Sequence, residues 1–222
     1  GARGETFTLT DSLDNVTGTL GNDTIIGDAD TTSAADQVVG GAGTDTLKLF
    51  GADTSAPDYS GIEAVELIAR NATAFDTSGK AAVTSVTVDG AVTGASDITV
   101  AGSQSLTLKN SNIGTNVATT ATATSLDVTL NKLGVSGTAA TVAFAGAELA
   151  TVNLAVAGDS VVDLTNDQKL ATLNISGSGD ATIDADGADD AAATLLTKVA
   201  GSTATGDLSI VLEDDTTTED VD

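Results

Sequence analysis

The chain contains no cysteine, histidine, methionine or tryptophan. Without cysteine it has neither a disulfide framework nor thiolate chemistry, and without histidine it lacks the commonest general base. The absence of both residues also disfavours a zinc, copper or iron site, because these metals take nitrogen and sulfur ligands. The metal chemistry that remains uses oxygen ligands, and this favours calcium.

Basic residues are scarce, with 8 Lys and Arg against 32 Asp and Glu and a formal net charge of -24. A nucleic-acid partner requires clusters of basic residues, so the composition argues against one, and an anionic membrane surface is disfavoured for the same reason. No apolar run approaches the roughly 18 residues of a membrane span, so no membrane insertion is expected. No targeting segment is recognisable, and the compartment therefore cannot be inferred from one.

Aromatic residues make up only 2% of the chain, whereas apolar residues as a whole make up 41%. A core of small branched residues suits stacked, repetitive layers. Repeats of about 20 residues, each with strand, glycine-containing turn and strand, begin at Val83, Leu149, Leu170 and Leu195. One such coil cannot bury its own apolar face, but stacked coils can. The pattern predicts a parallel β-solenoid over residues 51–222.

Several segments depart from this strand pattern. Residues 111–124 are small and polar and are predicted to form a loop, while 146–150, 165–171 and 186–199 have helix-forming compositions. The charge run at 213–222 is interpreted either as a solvated tail or as part of a further cation site.

The first fifty residues contain a different repeat, in which an aspartate is followed by an aliphatic residue and then a glycine. Asp14 and Asp23 are nine residues apart, as are Asp36 and Asp45. The sequence GGAGTDTLK (40–48) fits the pattern G-G-x-G-x-D-x-U-x, where U is a large aliphatic residue. The sequence GTLGNDTII (18–26) fits with Thr19 in place of the second glycine.

These turns predict a calcium site shared between coils. Calcium takes about 6–8 oxygen ligands at roughly 2.3–2.6 Å, more than a single turn can provide. Glycines let backbone carbonyls turn inward, and the aspartates supply charge; ordinary turns are the alternative. Asp23 and Asp45 are the central candidate ligands, Asp14 and Asp36 are second choices, and the turn residues Gly18, Gly21, Asn22, Gly40, Gly41 and Gly43 complete the candidate site. Asp28 and Asp30, in an insert between the two pairs, are either further ligands or solvated loop acids.

The nonapeptides are identified as RTX repeats, the unit of the calcium-binding β-roll. Over its opening 68 residues, including the turn Gly61-Ile62-Glu63, the chain resembles S-layer proteins of alphaproteobacteria and related large RTX surface proteins. The resemblance implies export by a type I secretion system, with its signal outside this sequence. It further implies an extracellular location at the cell surface and calcium-dependent assembly into a homo-oligomeric lattice. Anchoring to a cell-surface polysaccharide, through regions outside this segment, is also compatible with it.

The expected protein is therefore all-β, with a short calcium-binding RTX β-roll at 1–50 leading into a parallel β-solenoid at 51–222 that continues from it. The expected function is that of a structural module of a self-assembling surface layer. The alternative is an extender or ligand-binding module of a large RTX adhesin or biofilm matrix protein. An enzyme is not expected, because acid pairs such as Glu63/Glu66 and Asp184/Asp186 arise by chance among 32 acids and the eight bases are dispersed singly.

Overall fold

The computed structural model describes residues 2–51, 55–71, 74–94, 96–166, 169–185 and 196–212. Within these ranges the chain forms strands and turns but no helix, and all pairings between strands are parallel. Successive strands alternate between two sides of the molecule, so that each turn of the chain adds one strand to each side. This arrangement is a β-solenoid and confirms the predicted fold class.

One side of the solenoid is a single sheet, the long sheet, which contains ten described strands in sequence order. Residues of successive turns lie directly opposite one another, for example Ile25, Leu47 and Val65. The strands are β1 (Thr6–Thr8), β3 (Thr24–Asp28), β5 (Thr46–Phe50), β7 (Ala64–Asn71), β9 (Ser85–Thr93), β11 (Ser105–Ser111), β13 (Ser125–Leu133), β15 (Thr151–Gly158), β17 (Thr172–Gly177) and β19 (Lys198–Ala204).

The other side of the solenoid consists of two separate sheets. The three-stranded sheet contains β2 (Asn15–Thr17), β4 (Gln37–Val39) and β6 (Asp58–Ser60). The seven-stranded sheet contains β8 (Phe75–Asp76), β10 (Ser96–Val100), β12 (Thr115–Thr119), β14 (Ala140–Ala145), β16 (Ser160–Asn166), β18 (Ala181–Asp184) and β20 (Leu208–Val211).

The long sheet passes the predicted division at residues 50 and 51 without a break, since Phe50 on β5 lies opposite Ile68 on β7. The discontinuity falls on the other side, between β6 and β8. Near it the buried ring of Tyr59 is covered by Lys80, whose Nζ lies 4.4 Å from the ring centroid. The same Nζ donates a hydrogen bond to the carbonyl oxygen of Tyr59 at 2.9 Å and lies 3.5 Å from Asp58 Oδ1. Lys80 thus links β6, the last strand of the three-stranded sheet, to the turn that follows it.

The core lies between the two sides and consists mainly of aliphatic side chains in stacked columns. Neighbouring strands are about 4.7–4.9 Å apart, so side chains at equivalent positions touch, and branched aliphatic residues fill that spacing. This explains how the chain buries a long core with few aromatic rings. One column runs through Phe7, Ile25, Leu47, Val65, Val86, Leu106, Val128, Leu154 and Ile175, and its members from Ile25 onwards are buried.

For two of the segments predicted to depart from the strand pattern, the prediction is wrong. Residues 111–124 include a strand, β12, because Val117 pairs with Ile98 and Phe144 and is buried between the sheets. Residues 146–150 form a turn closed by the Leu149 N–H donating to the Gly146 oxygen at 3.2 Å, so burial of the next coil's first leucine overrides helix propensity.

The remaining helix predictions fall partly outside the described ranges. Described residues in 165–171 belong to β16 and the turn after it, and Lys198 begins β19. Residues 186–195, which held the longest predicted helix, and the charge run at 213–222 lie outside the described residues. The described part of the chain has no helix that is long and apolar enough to cross a membrane.

Candidate metal centre at the roll turns

The aspartates of the N-terminal motif lie on two opposite edges of the solenoid. Asp14 and Asp36 precede β2 and β4, where the chain enters the three-stranded sheet, whereas Asp23 and Asp45 precede β3 and β5, where it enters the long sheet. A nine-residue step carries the chain about half a turn. The structure therefore separates the pairs 14/23 and 36/45 and brings together 14 with 36 and 23 with 45, each 22 residues apart.

Four acidic residues stack along the edge that enters the long sheet, and we call them the roll ladder: Glu5, Asp23, Asp45 and Glu63. The carboxylates of Asp23, Asp45 and Glu63 each accept a hydrogen bond from the backbone N–H of the acid one turn earlier. Glu5 N lies 2.7 Å from Asp23 Oδ1, Asp23 N lies 2.7 Å from Asp45 Oδ1, and Asp45 N lies 2.7 Å from Glu63 Oε2. The sequence prediction missed Glu5 and Glu63, which stand immediately before β1 and β7 as the two aspartates stand before β3 and β5.

Both carboxylate oxygens of Asp23 have protein partners. Besides the Glu5 N–H, they accept the Thr19 N–H at 2.6 Å and the Thr19 hydroxyl at 2.9 Å, although the side chain is only 1% exposed. Burial raises the pKa of Asp23, but the hydrogen bonds from Glu5 and Thr19 outweigh this effect, so its pKa lies below the ordinary value. Thr19, which stands where the nonapeptide pattern has a glycine, thus supplies hydrogen-bond donors to Asp23 from within the same turn.

Asp45 lacks such partners. It is 0% exposed, its Oδ1 accepts the Asp23 N–H, and its Oδ2 is buried without a hydrogen bond. Burial raises the pKa of Asp45; the hydrogen bond from Asp23 opposes that rise, and the charges of Asp23 and Glu63 add to it, so the pKa lies above its ordinary value. A buried carboxylate oxygen without a donor is costly, and it marks the place in the roll ladder where a cation would be stabilising.

On the opposite edge, Asp14 and Asp36 cap their own turns. Asp36 accepts the Asp14 N–H at 3.0 Å and the Ser33 N–H at 2.7 Å, and Asp14 accepts the Thr10 N–H at 2.6 Å. Burial raises the pKa of Asp36, but its hydrogen bonds from Asp14 and Ser33 outweigh this, and the pKa is lowered. All four carboxylate oxygens of these two residues thus have donors in the described structure.

The insert at 28–35 lies on this second edge, away from the roll ladder. Asp28 Oδ1 accepts the N–H groups of Asp30 and Thr31, each at 3.0 Å, and so closes the turn locally. The hydroxyl of Thr31, the backbone of Asp30 and that of Thr31 lower the pKa of Asp28, and burial only partly offsets them.

The turn glycines allow neighbouring turns to approach closely. Gly41 and Gly43 have φ of +104° and +128°, a backbone region that residues other than glycine rarely adopt. A methyl group on Gly43 would lie 2.7 Å from the carbonyl carbon of Gly21, so the two turns stack backbone to backbone. Between them Asn22 Oδ1 accepts the Thr44 N–H at 2.9 Å.

A second stack of acids occurs far from the roll, and the sequence prediction missed it. We call it the solenoid ladder: Asp159, Asp180 and Asp207, each preceding a strand of the seven-stranded sheet. Asp180 N donates to Asp159 Oδ1 at 3.1 Å, and Asp207 N donates to Asp180 Oδ1 at 2.9 Å, the reverse of the direction in the roll ladder. The three side chains are exposed and line a groove of about 450 Å³. The recurring Gly-Asp dipeptide at 158, 179 and 206 is the signal that would have revealed it.

The members of the pair Glu63/Glu66, considered for catalysis, lie in different environments. Glu63 belongs to the roll ladder, whereas Glu66 lies on the outer face of β7 with its Oε2 2.8 Å from Lys48 Nζ. Asp184 ends β18, and Asp186 lies outside the described residues.

The donor set at the roll ladder consists of carboxylate and carbonyl oxygens and fits a hard cation such as calcium better than a metal that prefers nitrogen or sulfur. Among the described residues, no three acidic side chains converge to hold a metal ion. A cation there would take its protein ligands from one or two carboxylates together with backbone carbonyls.

The fold and this edge define the chain as a two-sided parallel β-solenoid whose first turns carry stacked, glycine-rich acidic loops. Comparisons with family models, with curated proteins and with solved structures find no match.

Proposed function

We propose that this chain is a structural module of a secreted bacterial surface-layer protein whose self-assembly depends on calcium. The observation that carries the proposal is the buried Oδ2 of Asp45, which has no hydrogen-bond donor in a stack of acids built from RTX-type turns. The resemblance of the first 68 residues to S-layer proteins, and the repetitive faces of the solenoid, support the assembly role.

Calcium would supply the positive charge that the roll ladder lacks. A ligand that binds only the folded state stabilises it by RT ln(1 + [L]/Kd), about 2.7 kcal/mol when its concentration is about 100 times Kd. Asp45 is the primary ligand in this proposal, and Asp23 is the second residue of the site. The carbonyls of the turns at 18–22 and 40–44 would complete it, with Asp14 and Asp36 on the opposite edge as secondary candidates.

Thermal unfolding with calcium and with chelator tests the metal part of the proposal. We expect calcium to raise the melting temperature of the chain, and Asp45→Asn, alone or with Asp23→Asn, to remove most of that rise. Asp180→Asn is the matched control, because Asp180 is also the middle member of an acid stack but is exposed. The site assignment is wrong if Asp45→Asn keeps the full calcium-induced shift.

Electron microscopy with and without calcium tests the assembly part. A two-dimensional lattice that forms with calcium and dissolves in chelator supports the surface-layer role. Monomeric rods that bind a surface or a glycan would instead indicate the adhesin module. An array that persists in strong chelator would contradict calcium-dependent assembly.

A further inference from the structure

Besides the packing of residues 3–5 on turn 18–23, the edge of the roll ladder contains two further interfaces between successive turns. In the first, turn 18–23 packs on turn 40–45; in the second, turn 40–45 packs on the shorter turn 61–63. A methyl group on Gly18 would overlap the carbonyl oxygen of Gly40 and lie 2.6 Å from Asp23 Oδ2. A methyl group on Gly40 would overlap the carbonyl oxygen of Gly61 and lie 2.7 Å from Asp45 Oδ2. Both interfaces thus place a carboxylate oxygen and a carbonyl oxygen of the next turn against a glycine α-carbon.

The two interfaces differ in how the carboxylate oxygen is satisfied. In the first, Asp23 Oδ2 accepts the Thr19 N–H at 2.6 Å. In the second, the residue equivalent to Thr19 is Gly41, which has no hydroxyl and has a φ of +104°. Asp45 Oδ2 is left without a donor in a fully buried side chain. The unsatisfied oxygen therefore belongs to the second interface.

Glu63 supplies acidity at this second interface, although it lies outside both nonapeptides. Its turn has three residues where the preceding turns have six, and glutamate is one methylene longer than aspartate. The longer side chain reaches the ladder position, with Oε2 2.7 Å from Asp45 N. In the described part of the chain neither Asp45 nor Glu63 forms an ion pair, so no basic side chain there neutralises them.

We propose that the second interface holds a divalent cation, with Asp45 Oδ2, the Glu63 carboxylate and the Gly61 carbonyl oxygen as its protein ligands. Glu63, and not Asp23, then provides the second carboxylate of the site. The inference rests on the proposed function, because it assumes that calcium binds the roll. It changes which turn completes the site: the RTX-type pair of nonapeptides is extended by the turn that opens β7.

Isothermal titration of the chelator-treated 222-residue chain with calcium chloride tests the inference through Glu63→Gln. Glutamine keeps an oxygen that can accept the Asp45 N–H, so the ladder geometry is retained while the charge is lost. We expect calcium affinity to fall on the order of tenfold or more, since affinity follows the ligand charge count. Asp23→Asn is expected to lower it less, because the Asp23 oxygens already have donors.

Glu66→Gln is the matched control, since it removes one charge from the same strand region and affects a partly exposed pair with Lys48 outside the proposed site. Wild-type affinity in Glu63→Gln together with lost affinity in Asp45→Asn would overturn the inference and leave calcium binding by the roll intact. Absence of calcium binding by the unaltered chain would overturn the proposed function as well. Unfolding of each variant in chelator separates loss of the site from loss of the fold, because a merely structural role for Glu63 would lower stability in chelator without selective loss of calcium affinity.

Discussion

The roll ladder and the solenoid ladder use the same kind of hydrogen bond, from the backbone N–H of one acid to the carboxylate of an acid in the adjacent turn. The two ladders run in opposite directions along the chain, and their environments differ in burial. Asp23 and Asp45 are 1% and 0% exposed, whereas Asp159, Asp180 and Asp207 are exposed. Water solvates the exposed carboxylates, and salt screens their repulsion over about 8 Å. The buried carboxylates have only the protein, or a bound ion, to stabilise their charge.

A stack of acids is therefore not by itself a metal site. The solenoid ladder also links acids of adjacent turns by backbone N–H to carboxylate hydrogen bonds, but its charge needs no partner beyond solvent. A demand for a cation arises where burial removes the solvent and the turn supplies no donor, and in the described residues Asp45 meets both conditions.

Alanine substitution of the stacked glycines is expected to give the largest loss of stability, and its effect on the response to calcium should differ between the two ladders. Gly40→Ala would drive a methyl group into the carbonyl oxygen of Gly61, and Gly179→Ala would place one 2.8 Å from the carbonyl carbon of Gly158. Each should lower the free energy of unfolding by about 1–3 kcal/mol, since the backbone must shift. Only Gly40→Ala should also lose the calcium-induced rise in melting temperature.

Urea unfolding with and without calcium measures both effects. Gly79→Ala is the control, because a methyl group there meets no atom within 4 Å. An undiminished calcium response in Gly40→Ala would show that the cation does not occupy this edge.

An effect of similar size is expected from Thr19→Ala, which removes the hydroxyl that donates to Asp23 Oδ1. A hydrogen bond to a charged group contributes about 1.5–3 kcal/mol, so the loss in chelator should be of that order. Asp23 would then keep only the backbone N–H donors of Glu5 and Thr19, so its charge would be less well stabilised and calcium should restore part of the stability. Thr44→Ala, whose backbone N–H still donates to Asn22, is the control. Equal losses with and without calcium would contradict the view that Thr19 and a cation play equivalent roles.

In chelator, the free energy of unfolding should depend on pH through two opposite contributions, one from Asp45 and one from Asp23 and Asp36. The pKa of Asp45 is raised by burial and by the charges of Asp23 and Glu63 that face it, so protonation in acid relieves a destabilising charge, and stability should rise as the pH falls through that pKa. The pKa values of Asp23 and Asp36 are lowered, so their contribution is present above the ordinary carboxyl pKa and is lost as the pH falls through the lowered values. We therefore expect a stability maximum in mild acid.

Chemical denaturation across the acid range in chelator measures this profile. Asp45→Asn should abolish the rise on mild acidification and leave the loss at lower pH. A rise of the same size in Asp45→Asn would assign it to other acids. Asp180→Asn should leave the profile unchanged.

The smallest effect is expected for an ion pair outside both ladders. Lys48 and Glu66 meet at 2.8 Å on the outer face of the long sheet, with side chains 30% and 35% exposed. A double-mutant cycle with Lys48→Met and Glu66→Gln should give a coupling of about 0.2–1 kcal/mol, reduced by salt. A coupling as large as the losses expected from Gly40→Ala or Thr19→Ala would mean that a partly exposed ion pair contributes as much as buried groups do. Burial would then not account for the difference between the two ladders.

The fold was predictable because its signal is periodic. The coils beginning at Val83, Leu149 and Leu170 alternate inward and outward residues, and stacking is the only way for such short strands to bury them. The strand at Thr115–Thr119 was not predictable in this way, since threonine and alanine in a polar stretch give a weak apolar pattern.

The sequence predicted which types of residue form the candidate site, but not which of these residues lie next to one another in the structure. The nine-residue phase of the motif links Asp36 with Asp45, but the backbone carries them to opposite edges, and only a turn length of 22 residues stacks Asp45 on Asp23. Glu5 and Glu63 lie 18 residues, or two nine-residue steps, from Asp23 and Asp45, but the motif has aspartate at this position and so does not single them out. The Oδ2 of Asp45 lacks a donor because the Gly41 N–H, with Gly41 at a φ of +104°, does not donate to it as the Thr19 N–H donates to Asp23 Oδ2. A sequence motif does not encode this backbone conformation.

In the long sheet each strand pairs only with the turn before and the turn after it. The solenoid is therefore quasi-one-dimensional, and its stability approximates a sum of terms for single turns and for the interfaces between neighbours. A cation at the roll would add its free energy to one such interface. The turns on either side of that interface would be stabilised most, and the slowing of backbone amide exchange would fade turn by turn toward β19.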